Sequence, residues 1–186
     1  MASVPEALHQ RKATGGSDEW ITPPEVLDPL REMFNFTLDV AAAKGNSVSL
    51  VYINKQADAL TVDWSTPGYV WCNPPYSLAA KFLAKGLVEA RSGRARSVFL
   101  VNVATDTRVW QDVVLPHAVF IWFVDGRISF IAGEDIYKKD KETGQQVLSL
   151  RAGERGPSPH PSAIVGFGML GREHDFPNFG TFRQRK

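Results

Sequence analysis

The feature that most constrains this chain is a short apolar segment that ends abruptly at two prolines. Residues Tyr69-Val70-Trp71-Cys72 predict a buried strand, and Asn73-Pro74-Pro75 stops it, because proline cannot donate a hydrogen bond to a sheet. The almost continuous apolar run Ser97–Val103 predicts a central strand that is covered on both faces. In open α/β sheets, ligands bind beyond the carboxyl ends of such strands, so Asn73 is placed where a site is expected.

Other segments alternate between strand and helix character. Apolar runs predict further strands at Phe36–Ala41, Val48–Ile53, Val119–Val124, Ile128–Ile131 and Ser162–Met169. Apolar residues at helical spacing predict helices that begin near Pro24, run from Leu78 to Ala90, and span Thr107–Leu115. This alternation predicts an α/β domain with a mainly parallel sheet, and the tail after Gly171 is expected to be irregular.

The first helix has two distinctive positions. In Thr22-Pro23-Pro24-Glu25 the threonine can cap the helix, proline suits the first turn, and Glu25 completes a capping box. Pro29 falls inside the helix and is expected to kink or shorten it.

Composition excludes several classes of protein. With 186 residues, of which 44% are hydrophobic and 22% charged, the chain is typical of one globular domain, with residues 1–17 as a flexible lead-in. No apolar stretch approaches the length of a membrane helix. The single Cys72 excludes an internal disulfide and is expected to be a small buried residue, and no histidine has metal-ligand spacing with it. We therefore expect neither a membrane segment nor a metal.

The stretch from Ala132 to Pro161 is polar and rich in glycine and proline, which predicts an inserted loop. Although the net charge is only +1, this insertion carries a group of basic and amide side chains: Lys138, Lys139, Lys141, Gln145, Gln146, Arg151 and Arg155. Local patches of this kind bind phosphates. The insertion is therefore a candidate target-recognition element, and a solvated surface loop is the alternative.

The residues Asn73-Pro74-Pro75-Tyr76 suit the chemistry of a planar amine. An exocyclic NH2 on a base is a poor nucleophile, because its lone pair is delocalised into the ring. The Asn73 side-chain oxygen and the Pro74 carbonyl can accept its two N–H groups and stabilise the charge that develops as it attacks. The prolines fix this geometry, and Tyr76 can stack on the base. A simple strand-ending turn uses the same residue types, so the flanking segments must decide.

Four segments occur in one order along the chain: Asp18-Glu19-Trp20-Ile21-Thr22-Pro23, Leu38-Asp39-Val40-Ala41-Ala42, Trp71-Cys72-Asn73-Pro74-Pro75-Tyr76 and Gly126-Arg127-Ile128-Ser129-Phe130. In this order they resemble the phage-type DNA N6-adenine methyltransferase family, from about Asp18 to Phe130. The resemblance implies a Rossmann-like S-adenosylmethionine-dependent methyltransferase fold, with a mainly parallel sheet, an antiparallel C-terminal strand and one domain over residues 18–186.

The resemblance also implies a cofactor site for S-adenosylmethionine. Its residues here are Thr22, Pro23, Asp39, Ala41, Asp58, Ala59 and Asn73. Thr22 matches a segment that holds the methionine end, in competition with the helix-cap role, and Asp39 matches an acid near the ammonium group. Asp58 matches an acid that accepts from the cofactor's adenine amine, with Asp63-Trp64 as the alternative. Two departures are a missing Gly-x-Gly turn after Asp39 and the lack of a clear ribose-binding acid, for which Asn54 is the nearest polar candidate.

The implied reaction is methylation of a flipped adenine in double-stranded DNA, with Asn73, Pro74, Pro75 and Tyr76 as the catalytic loop. The expected substrate contacts are Tyr76, Arg127, Phe130, Lys138 and Lys139, of which Phe130 can equally be core. Similar loops serve methyltransferases of RNA adenine or protein glutamine, and an inactive nucleic-acid-binding module is the rival from another class. The resemblance further implies a phage or prophage protein acting in the bacterial cytoplasm, and we expect a monomer.

Overall fold

The structure is a computed structural model that describes residues 20–42, 45–168 and 179–184. The expected flexible segment 1–17 lies outside these residues, as do Asp18 and Glu19 of the first family-like segment. In chain order the strands are β1 (Trp20–Ile21), β2 (Phe36–Asp39), β3 (Tyr69–Cys72), β4 (Arg96–Asn102), β5 (Phe120–Val124), β6 (Ser129–Ala132), β7 (Ile136–Lys139), β8 (Gln146–Leu150), β9 (Arg155–Pro157), β10 (Ser162–Phe167) and β11 (Phe179–Phe182). The helices are α1 (Pro24–Met33), α2 (Ala79–Arg91) and the short α3 (Leu115–His117).

The main element is a six-stranded sheet in the order β11-β5-β10-β4-β3-β2. Strand β10 runs antiparallel to both of its neighbours, β4 and β5. The pairs β2–β3, β3–β4 and β5–β11 are parallel. The expected central strand is confirmed, since β4 lies between β3 and β10 and its residues 97–101 are buried. The chain is therefore a mixed α/β protein whose largest sheet is mainly parallel, accompanied by two smaller sheets.

Alternate side chains of the central strands enter two separate cores. Val70 and Cys72 of β3 join the core that includes Phe82 and Leu83 of α2. Tyr69 and Trp71 face the opposite side, where the core includes the apolar face of α1: Val26, Leu27 and Leu30. This division follows from the two-residue period of a strand covered on both faces.

The helix α1 begins at Pro24, as the sequence predicted, but its N-terminus is capped differently. Its N-cap is Pro23, with no side-chain capping bond, so the expected capping box is wrong. Thr22 instead accepts a hydrogen bond from Asn73, and Glu25 pairs with Arg155 of β9. The hydrogen bond from Arg155 lowers the pKa of Glu25. Pro29 does not end the helix, which continues to Met33.

The second expected helix is confirmed as α2, which begins and ends one residue later than the predicted range. The third is a π-helical turn, Trp110–Val114, that continues directly into α3. No helix among the described residues is long and apolar enough to cross a membrane.

Several basic residues around α2 have partners within the protein. Glu89 is fully buried and accepts Lys85 Nζ at 2.5 Å and Arg94 Nε at 2.7 Å. Arg91 contacts His117, with a nitrogen–nitrogen distance of 2.9 Å to Nε2. Arg96 lies over the Tyr69 ring, with 4.5 Å between its guanidinium carbon and the ring centroid. These side chains therefore stabilise the fold around α2.

The predicted loop between Ala132 and Pro161 has regular structure, so that expectation is wrong. Strands β7 and β8 form a hairpin, and β9 joins a three-stranded sheet in the order β1-β6-β9. Asp140 closes the hairpin by accepting the backbone N–H groups of Glu142 and Thr143, and Gly144 supplies a positive φ of 71°. The polar composition predicted a loop because the same residue types, Asp, Thr and Gly, also form the tight turn of a hairpin.

Two further strand predictions differ from the structure. The segment Val48–Ile53 is not a strand, because it makes only the isolated bridge between Asp39 and Tyr52. Leu50, Val51 and Tyr52 are exposed, Leu50 fully, whereas Val48 and Ile53 pack partly against the two cores. At the other end of the chain, the tail expected to be irregular forms β11, which pairs with β5.

Candidate active site

An open cleft lies at the carboxyl end of β3, where the prolines stop the strand. It is lined by Trp20, Asn73, Pro74, Pro75 and Tyr76 and holds about 220 Å³ of empty space, including its mouth. Pro74 is buried, whereas Tyr76 remains 37% exposed. The loop then enters a 3₁₀ turn, Tyr76–Leu78, in which Leu78 N–H donates to the Pro75 carbonyl at 2.9 Å. A rigid turn thus presents an amide and an aromatic ring to one opening.

The amide of Asn73 has a defined orientation. Its Nδ2 donates to Thr22 Oγ1 at 3.3 Å and faces the Trp20 carbonyl oxygen at 3.5 Å. A backbone carbonyl can only accept, so the nitrogen must lie on this side. The Asn73 Oδ1 atom is therefore the end of the amide turned away from the Trp20 carbonyl.

Trp20 is a residue of the cleft that sequence reasoning did not assign. It is half-buried in β1, pairs with Ala132 of β6, and its ring lies 6.4 Å from the Phe130 ring. On another side it lies close to Gly156, where an added Cβ would come within 3.2 Å of the Trp20 ring. Its position directly before Ile21-Thr22-Pro23 was the only available signal. The Trp20 ring therefore packs against Phe130 and Gly156 of the small sheet, while its backbone carbonyl faces Asn73.

Asp39 is a buried acid at the carboxyl end of β2, beside β3. Its Oδ1 accepts the N–H of Ala41 at 3.1 Å and its Oδ2 accepts that of Val48 at 3.0 Å. Burial raises the pKa of Asp39 to about 6, and the two N–H groups oppose this rise. A cation placed beside this carboxylate would stabilise its ionised form.

Cys72 directly precedes the loop but is fully buried in the core. Burial first, and then the charge of Asp39, raise the pKa of its thiol well above the ordinary value. A thiol of this kind stays protonated and is a poor nucleophile. The structure agrees with the prediction of a small buried residue.

The turn at Asp58 and Ala59 lies at the surface of the same core. Asp58 is exposed, has a φ of 47°, and accepts the Leu60 N–H at 3.2 Å. Ala59 is buried, and its carbonyl accepts the Trp64 indole N–H at 2.8 Å. Trp64 is itself 0% exposed, so it packs in the core and is not available to flank a ligand.

The competing acid beside it, Asp63, is occupied within the protein. Asp63 accepts the Ser65 N–H at 2.6 Å and pairs with Arg94 at 3.2 Å. The hydrogen bonds from Ser65 lower the pKa of this exposed carboxyl. Asp58 therefore keeps its place as the candidate acid, and Asp63-Trp64 loses support.

The remaining expected substrate residues are distributed around the cleft and do not line it in the described part of the chain. Phe130 is buried against Trp20, which is the core alternative left open by the sequence. Arg127 is exposed in the turn between β5 and β6. Lys138 and Lys139 are exposed on β7. The structure thus gathers Thr22, Asp39 and Asn73 at one sheet edge and leaves the basic residues on outer surfaces.

No group of three or more metal-ligating side chains occurs within the ranges that the structure describes.

Comparisons with known proteins match most of the chain. The model of a family described as DNA N-6-adenine-methyltransferase (Dam) matches residues 10–160. A DNA N-6-adenine-methyltransferase of Haemophilus phage HP1 is 31% identical over 136 residues, which cover 72% of this chain and 78% of the relative. A DNA N-6-adenine-methyltransferase of Escherichia phage T1 is 26% identical over 133 residues, which cover 63% of this chain and 55% of the relative.

Proposed function

Because the chain belongs to the DNA N-6-adenine-methyltransferase family, we propose that it transfers a methyl group to N6 of adenine in double-stranded DNA. The observation that carries the proposal is the orientation of the Asn73 amide, whose Nδ2 faces Trp20 and Thr22. This leaves Oδ1 as an acceptor at the end of β3, directly before the rigid Pro74-Pro75 turn.

The chemistry of the loop follows from its acceptors. Asn73 Oδ1 and the Pro74 carbonyl accept the two N–H groups of the adenine amine. They favour a more tetrahedral nitrogen and stabilise the positive charge that N6 develops in the transition state. The two oxygens hold both protons during transfer, and one proton then passes to solvent water, because an amide and a peptide carbonyl are too weakly basic to keep it. Because the prolines restrict the backbone, little reorganisation is needed as the charge develops.

The residues at the sheet edge fit S-adenosylmethionine as the methyl donor. When bound, this cofactor supplies a methyl group activated by a positively charged sulfur. The buried Asp39 carboxylate suits its ammonium group, since burial has already raised the pKa of Asp39 to about 6. Thr22 and Pro23 lie beside Asn73 and suit the methionine end, while Asp58, Ala59 and the small Ala41 suit the adenosine side. We propose the Rossmann-like methyltransferase arrangement for the single domain 18–186 on this basis.

The cleft beside Asn73 suits a base that has left the helix. Tyr76 lines the cleft with an exposed aromatic ring on which a flipped adenine can stack. Phe130 supports Trp20 from behind, so its part in substrate binding is indirect. Extrusion of a base costs a few kcal/mol, which contacts to DNA must offset.

The β7–β8 hairpin is the proposed target-recognition element. Lys138 and Lys139 expose their charges on β7, and Tyr137, Val147 and Leu148 expose apolar surface. Arg127, on the turn before β6, adds a further exposed charge. The charged side chains suit contacts to phosphates, and the apolar side chains suit contacts to the edges of bases. Both relatives come from phages, which supports action on DNA in the bacterial cytoplasm by a single chain.

The proposal is tested by incubating the protein and S-adenosylmethionine carrying a labelled methyl group with duplex DNA, RNA or protein. We expect label in DNA alone, recovered as N6-methyladenine. Label only in RNA or in protein glutamine would overturn the DNA assignment. Absence of transfer together with absence of cofactor binding by calorimetry would favour an inactive binding module.

A further inference from the structure

The Asn73 amide is held by two acceptors of unequal quality. The Trp20 carbonyl oxygen lies 3.5 Å from Nδ2, at the outer limit of a hydrogen bond, and Thr22 Oγ1 lies at 3.3 Å. Thr22 is only 7% exposed, so water has little access to compete for this contact. The Trp20 carbonyl can only accept, so it decides which end of the amide faces β1, and the Thr22 hydroxyl is the side-chain group that holds the amide in that place.

Thr22 is itself fixed from both sides. Immediately before it, Ile21 pairs with Ile131 of β6. Immediately after it, Pro23 caps α1, and its carbonyl accepts the N–H groups of Val26 at 3.0 Å and Leu27 at 3.1 Å. The salt bridge between Glu25 and Arg155 further joins α1 to the small sheet. The hydroxyl is thus presented by a segment with little freedom to move.

The orientation of the amide matters because rotation by half a turn reverses its chemistry. The terminal torsion of asparagine is soft, so packing alone does not select between the two orientations. A reversed Asn73 would present its NH2 group to the NH2 group of adenine, placing donor against donor. The amide would then oppose the transition state that it is proposed to stabilise.

From these contacts we infer that Thr22 is a positioning residue that acts through Asn73 and keeps Asn73 Oδ1 directed at the reacting amine. The inference rests on the proposed function. It differs from a cofactor-binding role for Thr22, since it places the main effect on the rate with all substrates bound. A hydroxyl that accepts from Asn73 still has its own proton to donate to a ligand, so the two roles are compatible.

The test compares Thr22→Val, which keeps the shape but removes the hydroxyl, with Thr22→Ser, which keeps the hydroxyl. At saturating DNA and S-adenosylmethionine, Thr22→Val is expected to lower kcat by about 10-fold or more, because a misdirected group is costly to the transition state. Its Kd for S-adenosylmethionine is expected to rise by no more than about 10-fold, the effect of one lost hydrogen bond at the methionine end, and Thr22→Ser is expected to keep kcat within about 3-fold of the wild type.

Thr37→Val is the matched control. Thr37 Oγ1 bonds to Thr66 Oγ1 at 2.7 Å and accepts the Gly68 N–H at 3.0 Å, so this variant loses comparable hydrogen bonds outside the cleft. It is expected to change the melting temperature but not kcat. Thr22→Ala replaces Thr22→Val if the valine variant does not melt cooperatively.

Two results would overturn the inference: an unchanged kcat in Thr22→Val at saturation, whatever its cofactor affinity, or an equal loss of kcat in Thr22→Ser. Failure of the proposed function is distinguishable from both, because the wild-type protein would then transfer no methyl group to DNA.

Discussion

Asn73 acts in this account through one atom, its side-chain oxygen, because its nitrogen is bound to Thr22 and faces Trp20. Replacing Asn73 with alanine removes that acceptor and leaves the backbone of the loop intact. We expect kcat to fall about 10²–10³-fold, the usual effect of losing one transition-state hydrogen bond, while the Kd for S-adenosylmethionine is largely kept. Single-turnover transfer and calorimetry measure the two quantities, and wild-type turnover in Asn73→Ala would contradict the mechanism.

Tyr76 is proposed to stack on the flipped adenine from the exposed side of the cleft. Tyr76→Ala removes the ring and is expected to reduce the population of flipped base. A DNA duplex with 2-aminopurine at the target reports this as a smaller rise in fluorescence on binding, because the probe is quenched while stacked in the helix. An equal rise in wild type and variant would exclude Tyr76 from this role.

Asp39 gives cofactor binding a predictable pH dependence. Burial raises its pKa from 3.8 to about 6, so its contribution to folding stability is present below pH 3.8 and is lost as the pH rises through about 6. A bound ammonium group favours the ionised form. The affinity for S-adenosylmethionine should therefore fall as the pH is lowered from about 7 to about 5, and this dependence should be absent in Asp39→Asn. If the Kd for S-adenosylmethionine of the wild-type protein did not change with pH in calorimetry, Asp39 would not be the residue that binds the ammonium group.

Sequence reasoning at the residue scale identified the chemistry but not all of the partners. Asn73 follows a strand with an unambiguous pattern, so its place at a sheet edge was predictable. Its contact with Thr22 joins positions 51 residues apart, and local pattern favoured a helix cap for that threonine. Trp20 was missed for the same reason, since its role depends on pairing with β6. Site residues whose roles depend on contacts between distant positions could therefore not be predicted from the pattern of neighbouring residues.

At the scale of elements, the β7–β8 hairpin provides the clearest prediction. Replacing Lys138 or Lys139 singly with glutamine should raise the KM for DNA and leave kcat at saturating DNA unchanged. Each lost phosphate contact should reduce the slope of log KM against log salt by about 1. Lys55→Gln makes the same charge change at an exposed position outside the hairpin and should have no effect. Equal salt slopes in all variants would contradict a DNA-binding role for the hairpin.

The elements that sequence predicted well are those with strong apolar periodicity: α2, β3, β4 and β10. The strand expected at Val48–Ile53 failed because Leu50, Val51 and Tyr52 are exposed, and the segment pairs with β2 only through the bridge between Asp39 and Tyr52. The hairpin and β11 were missed because their strands are stabilised by pairing with neighbours rather than by a hydrophobic pattern of their own. A short segment of sequence does not show which strand it will pair with, so such strands are difficult to predict from their own residues.

At the scale of the whole molecule, the site depends on how the small sheet is joined to the main one. Arg155 and Glu25 are 130 residues apart in sequence, yet they connect β9 to α1 beside Thr22. The β7–β8 hairpin lies in the chain between β6 and β9. Both of these strands belong to the small sheet that also contains Trp20 in β1. The hairpin proposed to recognise DNA and the segment that holds the Asn73 amide are thus both joined to the β1-β6-β9 sheet.

Expression of the protein in a bacterial host that lacks adenine methylation, followed by mapping of N6-methyladenine across the DNA, tests the central claim most directly. We expect N6-methyladenine at a short recurring sequence with the wild-type protein, and its loss with Asn73→Ala at equal protein levels. DNA without N6-methyladenine in cells that contain the folded wild-type protein would contradict it.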